Sequence, residues 1–111
     1  TFPELSITGY TCGDLFKQDV LLDKVLDGLS TIINETAKLD IISIIGMPLR
    51  ICNKAYDVAT VISNGKILGI VPKVYLNKYS NDYRWFNSGS VLKNKTIKII
   101  ILFFLMKCYH C

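Results

Sequence analysis

The sequence predicts an α/β fold in which helices pack on a mixed β-sheet. Three observations carry this reading. Apolar residues recur at three- and four-residue steps between positions 18 and 38, an almost continuous apolar run covers Asp40 to Gly46, and Asn64-Gly65 separates two strand-like runs. The 111 residues leave room for one domain at most. Half of them are hydrophobic and 20% are charged, which suits a buried core and excludes a disordered chain.

The elements follow in order. Residues 5–16 are rich in Gly, Thr and Tyr and read as an irregular loop leaving a strand. Leu22, Val25, Leu26, Leu29, Ile32 and Ile33 then mark one face of a helix over about 18–38, with Asp23, Lys24, Asp27 and Glu35 on its other faces. Gly28 inside that helix costs up to about 1 kcal/mol relative to alanine. The Asp40–Gly46 run, bounded by Gly46 and Pro48, reads as a strand buried on both faces. Ala55–Ser63 is a second strand. Asn64-Gly65 tolerates the two positive φ angles of a type I′ turn and joins it to a third, Lys66–Val71. Pro72 ends that strand, which leaves Lys73 where a strand gives way to a loop. With a single helix in view the sheet reads as incomplete, and apolar stretches such as Ile41–Ile45 are expected to lack cover, which invites association.

Several function classes drop out. The net charge of +4 is mild, and the cluster Lys93, Lys95, Lys98 has no interleaved aromatics, so nucleic acid is not implied. No membrane partner is implied either, because the apolar run Ile99–Met106 falls far short of the roughly 20 residues of a membrane span; it fits a buried strand or a helix segment, with a membrane anchor cut short by the chain end as the minor alternative. Cysteines at 12, 52, 108 and 111 are irregularly spaced and the first residues do not read as a signal peptide, so reduced thiols in a cytoplasmic protein are expected. Cys108, His110 and Cys111 are too crowded for a tetrahedral zinc site, and no metal is expected.

Two side chains can carry chemistry. Glu4 lies between Pro3 and Leu5, and a carboxylate among apolar neighbours can serve as a general base. Lys73 follows an apolar strand and can supply a fixed positive charge to an oxyanion. Taken singly, Glu4 reads first as a plain surface glutamate and Lys73 first as a snorkelling strand-end lysine.

Their flanks are more specific. The segment Phe2-Pro-Glu-Leu-Ser-Ile-Thr-Gly-Tyr10 resembles the first signature of the nitrilase, or carbon–nitrogen hydrolase, superfamily. Thr11–Phe16, Ile45–Leu49, Ile62–Leu76 and Arg84-Trp-Phe86 narrow the resemblance to the amino-terminal glutaminase domain of glutamine-dependent NAD synthetases, over roughly residues 1–98. The resemblance implies a partial α-β-β-α sandwich, incomplete at both ends, with Glu4 as general base, Lys73 as oxyanion stabiliser, and Tyr10 and Tyr79 lining the glutamine pocket. It also implies that a cysteine thiolate attacks the glutamine amide and that the ammonia released reaches a carboxy-terminal synthetase domain, which makes NAD. Cofactors are implied only there, as ATP and Mg. Homo-oligomers are implied for the intact protein.

The departures are specific too. The family nucleophile sits in a Cys-Glu-Asp context beyond Arg-Trp-Phe, and this chain has no such motif. Cys12 matches a non-catalytic position. Asn81 stands where a glutamate is usual, two residues are missing between Tyr79 and Arg84, and Asp57 replaces a common asparagine. Residues 99–111 match nothing in the family and read as out of frame, degenerate or a divergent core strand. The chain, which opens on Thr1, therefore reads as part of an enzyme, inactive by itself. A fragment of a stand-alone amidase and a non-enzymatic remnant stay open as alternatives.

Overall fold

The computed structural model describes residues 1–9, 11–51, 53–76 and 82–92. Tyr10, Cys52, Tyr79, Asn81 and everything from Lys93 onward lie outside the described residues, so the expectations for those positions and for the tail are not addressed by it.

Helix α1 spans Asp19–Thr36, one residue later and two residues earlier than the periodicity suggests. Gln18 precedes it in extended geometry. The spacing of Leu22, Val25, Leu26 and Leu29 puts all four on one buried face. Ile32 and Ile33 continue that face and are partly buried. Asp19 and Asp23, near the positive end of the helix dipole, both pair with Arg50, the Asp23 contact at 3.6 Å. This ties the start of the helix to the first strand.

Strands β1 (Ile42–Ile51), β2 (Lys54–Ser63) and β3 (Lys66–Pro72) form a sheet in the order β1-β2-β3. Both ladders are antiparallel, so the described strands contain no parallel pairing of the kind a mixed sheet requires. Two short hairpins account for this, since a parallel pair would need a long crossover. The predicted turn holds, with φ of 50° at Asn64 and 74° at Gly65.

Strand alternation divides the sheet into two faces. Ile45, Met47, Leu49 and Ile51 from β1 join Tyr56, Val58 and Ile62 from β2 under Val25, Leu26 and Leu29 of α1. Each fully buried aliphatic side chain there stabilises the fold by about 1.5–3 kcal/mol. The opposite face carries Ile44, Gly46 and Pro48 from β1, Asp57 and Ala59 from β2, and Val71 from β3.

β1 departs from expectation. It runs straight through Gly46 and Pro48, which do not bound it, and Ile42 is exposed instead of buried on both faces. The outer edge of β1 explains the proline. The carbonyls of Ile44 and Gly46 point away from β2 and accept hydrogen bonds from Phe2 N (2.9 Å) and Ile7 N (3.3 Å). By alternation Pro48 also faces outward, so its missing N–H costs no ladder bond. At the end of β3, Pro72 still pairs with Val58 and is the last strand residue.

Some structure has no counterpart in the sequence reading. The loop at 5–16 ends in a 3₁₀ turn, Gly13–Lys17. A short helix α2, Asp82–Trp85, and a second 3₁₀ turn, Gly89–Leu92, follow the sheet. Phe16 and Phe86 meet at 5.0 Å between ring centroids and form, with Leu5, a second small core. The expected lack of cover over Ile41–Ile45 holds at Ile41 and Ile42 and fails at Ile45, which α1 buries. Among the described residues no helix is long and apolar enough to cross a membrane.

Candidate active site around Glu4 and Lys73

The cleft lies on the sheet face away from α1. It has a volume of about 380 Å³, and its walls come from Phe2, Pro3 and Glu4, from Ile44 and Gly46, from Asp57 and Ala59, and from Val71 and Lys73. Small side chains at Gly46 and Ala59 leave this room, where the other face of the same strands is filled by Met47 and Val58.

Glu4 is placed by its own backbone. Residues 2–7 lie along β1, held by the two bonds to Ile44 and Gly46 and by Ser6 Oγ, which donates to the Gly46 carbonyl (3.1 Å). The approach is so close that a Cβ on Gly46 would sit 2.5 Å from the Pro3 carbonyl oxygen, 2.6 Å from Leu5 N and 2.8 Å from Glu4 Cα. Only glycine admits that contact. Immediately after Glu4 the chain turns through Leu5, a non-glycine residue at φ 52°. Such a conformation costs on the order of 1–2 kcal/mol and persists only when its surroundings enforce it. Here the Leu5 side chain is buried against Phe16 and Phe86, and its carbonyl accepts Gly9 N at 2.6 Å.

Lys73 is held at both of its backbone polar groups. Its N–H donates to the Asp57 carbonyl (2.8 Å) and its own carbonyl accepts from Gly89 N (2.8 Å). A Cβ on Gly89 would lie 2.9 Å from the Pro72 ring, so this strap also depends on a missing side chain. Arg84-Trp85-Phe86 leads into the strap. Phe86 buttresses Leu5, and the Lys17 and Arg84 cations lie over the Trp85 ring at 5.9 and 5.6 Å.

The two side chains then meet. Lys73 Nζ donates to Glu4 Oε1 at 2.5 Å, across 69 positions of sequence. With the side chains 27% and 37% exposed, such a pair contributes about 1 kcal/mol or less to stability. That is small beside a strained Leu5 and two glycines reserved for close approach. An acid and a cation aimed at one cavity can remove a proton and stabilise an oxyanion developing beside it.

Of the sequence-predicted site residues, Glu4 and Lys73 are brought together, while Tyr10 and Tyr79 are outside the described residues. Cys12 is half-buried in the loop, with its Sγ donating to the Thr8 carbonyl at 3.5 Å, and it does not line the cleft. Sequence reasoning missed the roles of Gly46, Gly89 and Leu5. A glycine inside an otherwise apolar strand signals close backbone approach, and that signal was present at Gly46. Among the described residues no group of three potential metal ligands comes together.

The chain is similar in sequence and in fold to known proteins. No protein-family model matches the chain. A glutamine-dependent NAD(+) synthetase from Mycobacterium tuberculosis strain H37Rv is 44% identical over 82 residues, 74% of this chain and 12% of the relative. The Aquifex aeolicus enzyme of that name is 37% identical over 90 residues, 79% of this chain and 16% of the relative. Among solved structures, a glutamine-dependent NAD(+) synthetase from Cytophaga hutchinsonii superimposes with a TM-score of 0.70 at 32% identity, over 78% of this chain and 15% of that one. The chain thus spans about an eighth of the length of its Mycobacterium relative. In sequence and in fold, it is homologous to a segment of the glutamine-dependent NAD(+) synthetases.

Proposed function

We propose that this chain is part of the glutaminase unit of a glutamine-dependent NAD synthetase, a carbon–nitrogen hydrolase domain over residues 1–98 that releases ammonia for NAD synthesis. The observation that carries the reading is the contact of Lys73 Nζ with Glu4 Oε1 at 2.5 Å in a shared cleft. In this reading the sheet belongs to a nitrilase-type α-β-β-α sandwich.

The chemistry follows from what the two groups can do. Glu4 accepts a proton from a cysteine thiol, because a free thiol is mostly protonated at neutral pH. The thiolate attacks the side-chain amide carbon of glutamine, and Lys73 stabilises the negative charge that develops on the carbonyl oxygen. The C–N bond breaks, ammonia leaves with the transferred proton, and a thioester remains. Glu4 then takes a proton from water as the water attacks the thioester, which releases glutamate and regenerates the thiol. Tyr10 and Tyr79 line the glutamine pocket. No cysteine of this chain is assigned the nucleophile's role. The ammonia passes to a synthetase domain that uses ATP and Mg, in a cytoplasmic assembly of several copies.

Two measurements test this. The isolated chain releases no ammonia from glutamine above a blank, since losing the nucleophile of a cooperative triad costs on the order of 10⁶-fold. Release that Glu4→Gln abolishes overturns that part. In a chimera, residues 1–92 replace the matching segment of the Mycobacterium tuberculosis synthetase. Lys73→Met should lower its glutamine-supported NAD synthesis on the order of 10²-fold or more and leave ammonia-supported synthesis intact. Equal loss with both nitrogen sources, or no loss, sinks the assignment of Lys73.

A further inference from the structure

The cleft contains a third charged side chain with no role in the chemistry above. Asp57 is 2% exposed, and its Oδ2 is fully buried. It lines the cleft that Glu4 and Lys73 line. Its position relative to Lys73 follows from the sheet. Val58 pairs with Pro72 in the β2–β3 ladder, so one further step sets Asp57 opposite Lys73, and the Lys73 N to Asp57 O bond at 2.8 Å continues the register by that step. Residues directly opposite in an antiparallel pair project to the same face, with Cβ atoms roughly 4.5–5.5 Å apart. That face is the cleft face.

A buried carboxylate must be paired, hydrogen-bonded or protonated. Among the described residues that line this cleft, the charged groups are Glu4 from the amino-terminal segment, Asp57 from β2 and Lys73 after β3. β1 contributes Ile44 and Gly46, and β3 contributes Val71 and Pro72, none of them titratable. Lys73 is the one cation in that set. Of the two acids that line the cleft, Glu4 is the more exposed and Asp57 the more buried.

We propose that Asp57 is a positioning residue for Lys73: its buried carboxylate, opposite Lys73 on the cleft face, holds the ammonium charged and aimed into the cavity while Glu4 exchanges protons. The inference rests on reading Glu4 and Lys73 as the amide-hydrolysing pair. It divides the labour between two acids. If Glu4 alone neutralised Lys73, every protonation of Glu4 would release the lysine from its place. With Asp57 behind it, Lys73 keeps a counter-charge throughout.

The test reads Lys73 itself and needs no turnover. The full chain is labelled with trace acetic anhydride between pH 7 and 11, and the rate at each lysine is read by peptide mass spectrometry. Exposed Lys54 and Lys66 in the same sample are the standards. An opposite charge at this range shifts an amine's titration by about one unit or more. Asp57→Asn should therefore speed Lys73 labelling roughly tenfold at pH 8 relative to the standards. An unchanged relative rate overturns the proposal. If Asp57→Asn shows no cooperative urea transition, the unaltered chain decides, through the carbon-13 shift of the Asp57 carboxyl at pH 7. An ionised carboxylate supports the proposal and a protonated one overturns it. Neither result depends on glutamine, so failure here leaves the chimera result standing, and failure of the chimera leaves this pair as measured.

Discussion

The two faces of one small sheet are built to opposite specifications. Under α1, β1 and β2 present Ile45, Met47, Leu49, Tyr56 and Val58, all buried. One residue along each strand, the other face presents Gly46, Asp57 and Ala59, around a cavity that holds Glu4 and Lys73. The first face is filled to exclude water, and its contribution grows with the apolar area removed. The second forgoes that gain. It spends side-chain volume on backbone proximity and cavity space, and it carries a left-handed Leu5. Because strand side chains alternate, a single stretch of sequence serves both purposes, and a substitution is felt on the side to which it points.

The comparison breaks first on the filled side. Leu29 is 1% exposed at the centre of the helix–sheet core. Leu29→Ala should destabilise the chain by about 3 kcal/mol, the usual cost of a large-to-small change that leaves a cavity. Urea unfolding checks this. In the fraction that stays folded, Lys73 labelling should match the unaltered chain, because α1 does not line the cleft. A change in Lys73 reactivity without loss of stability contradicts the separation of the faces.

Gly46 breaks it from the cleft side. A Cβ there meets backbone at 2.5, 2.6 and 2.8 Å, and backbone cannot swing aside as a side-chain tip can. Gly46→Ala should destabilise by about 2 kcal/mol through overpacking. It should also push residues 3–5 off β1 and separate Glu4 from Lys73. The expected signature is a faster Lys73 labelling rate at pH 8 in molecules that remain folded. A Gly46→Ala chain with unchanged stability and unchanged Lys73 reactivity shows that the amino-terminal segment is not seated as described.

How much of this is legible in the sequence differs between the faces for the same reason. The helix and the second hairpin are local. Apolar spacing fixes one, and Asn64-Gly65 fixes the other by tolerating positive φ. Glu4 and Lys73 are 69 positions apart, and periodicity says nothing about their meeting. The family resemblance of their flanks singled them out, and the homology to glutamine-dependent NAD(+) synthetases bears that resemblance out. Gly46 and Pro48 read as strand boundaries because a strand ladder disfavours both. They stand inside β1 because its outer edge takes its donors from residues 2 and 7, and partners 39 and 42 positions away are invisible to local pattern. Asp57 is noticeable in the sequence only as a substitution. Its burial opposite Lys73 emerges from the register.

The smallest expected effect sharpens the contrast by pH. Tyr56 lies on the filled face, 1% exposed. Burial pushes its phenol above the ordinary value of 10.0, because desolvation penalises the phenolate. Below pH 10 the phenol is neutral in folded and unfolded chains alike, and its contribution is fully present. Above that the unfolded chain loses the proton first, so the unfolded state binds fewer protons and stability falls as pH rises toward the folded-state value. Tyr56→Phe removes this titrating group. Urea midpoints measured from pH 8 to pH 11 should fall less steeply above pH 10 in the variant than in the unaltered chain. Parallel curves would mean that the loss at high pH comes from groups other than Tyr56.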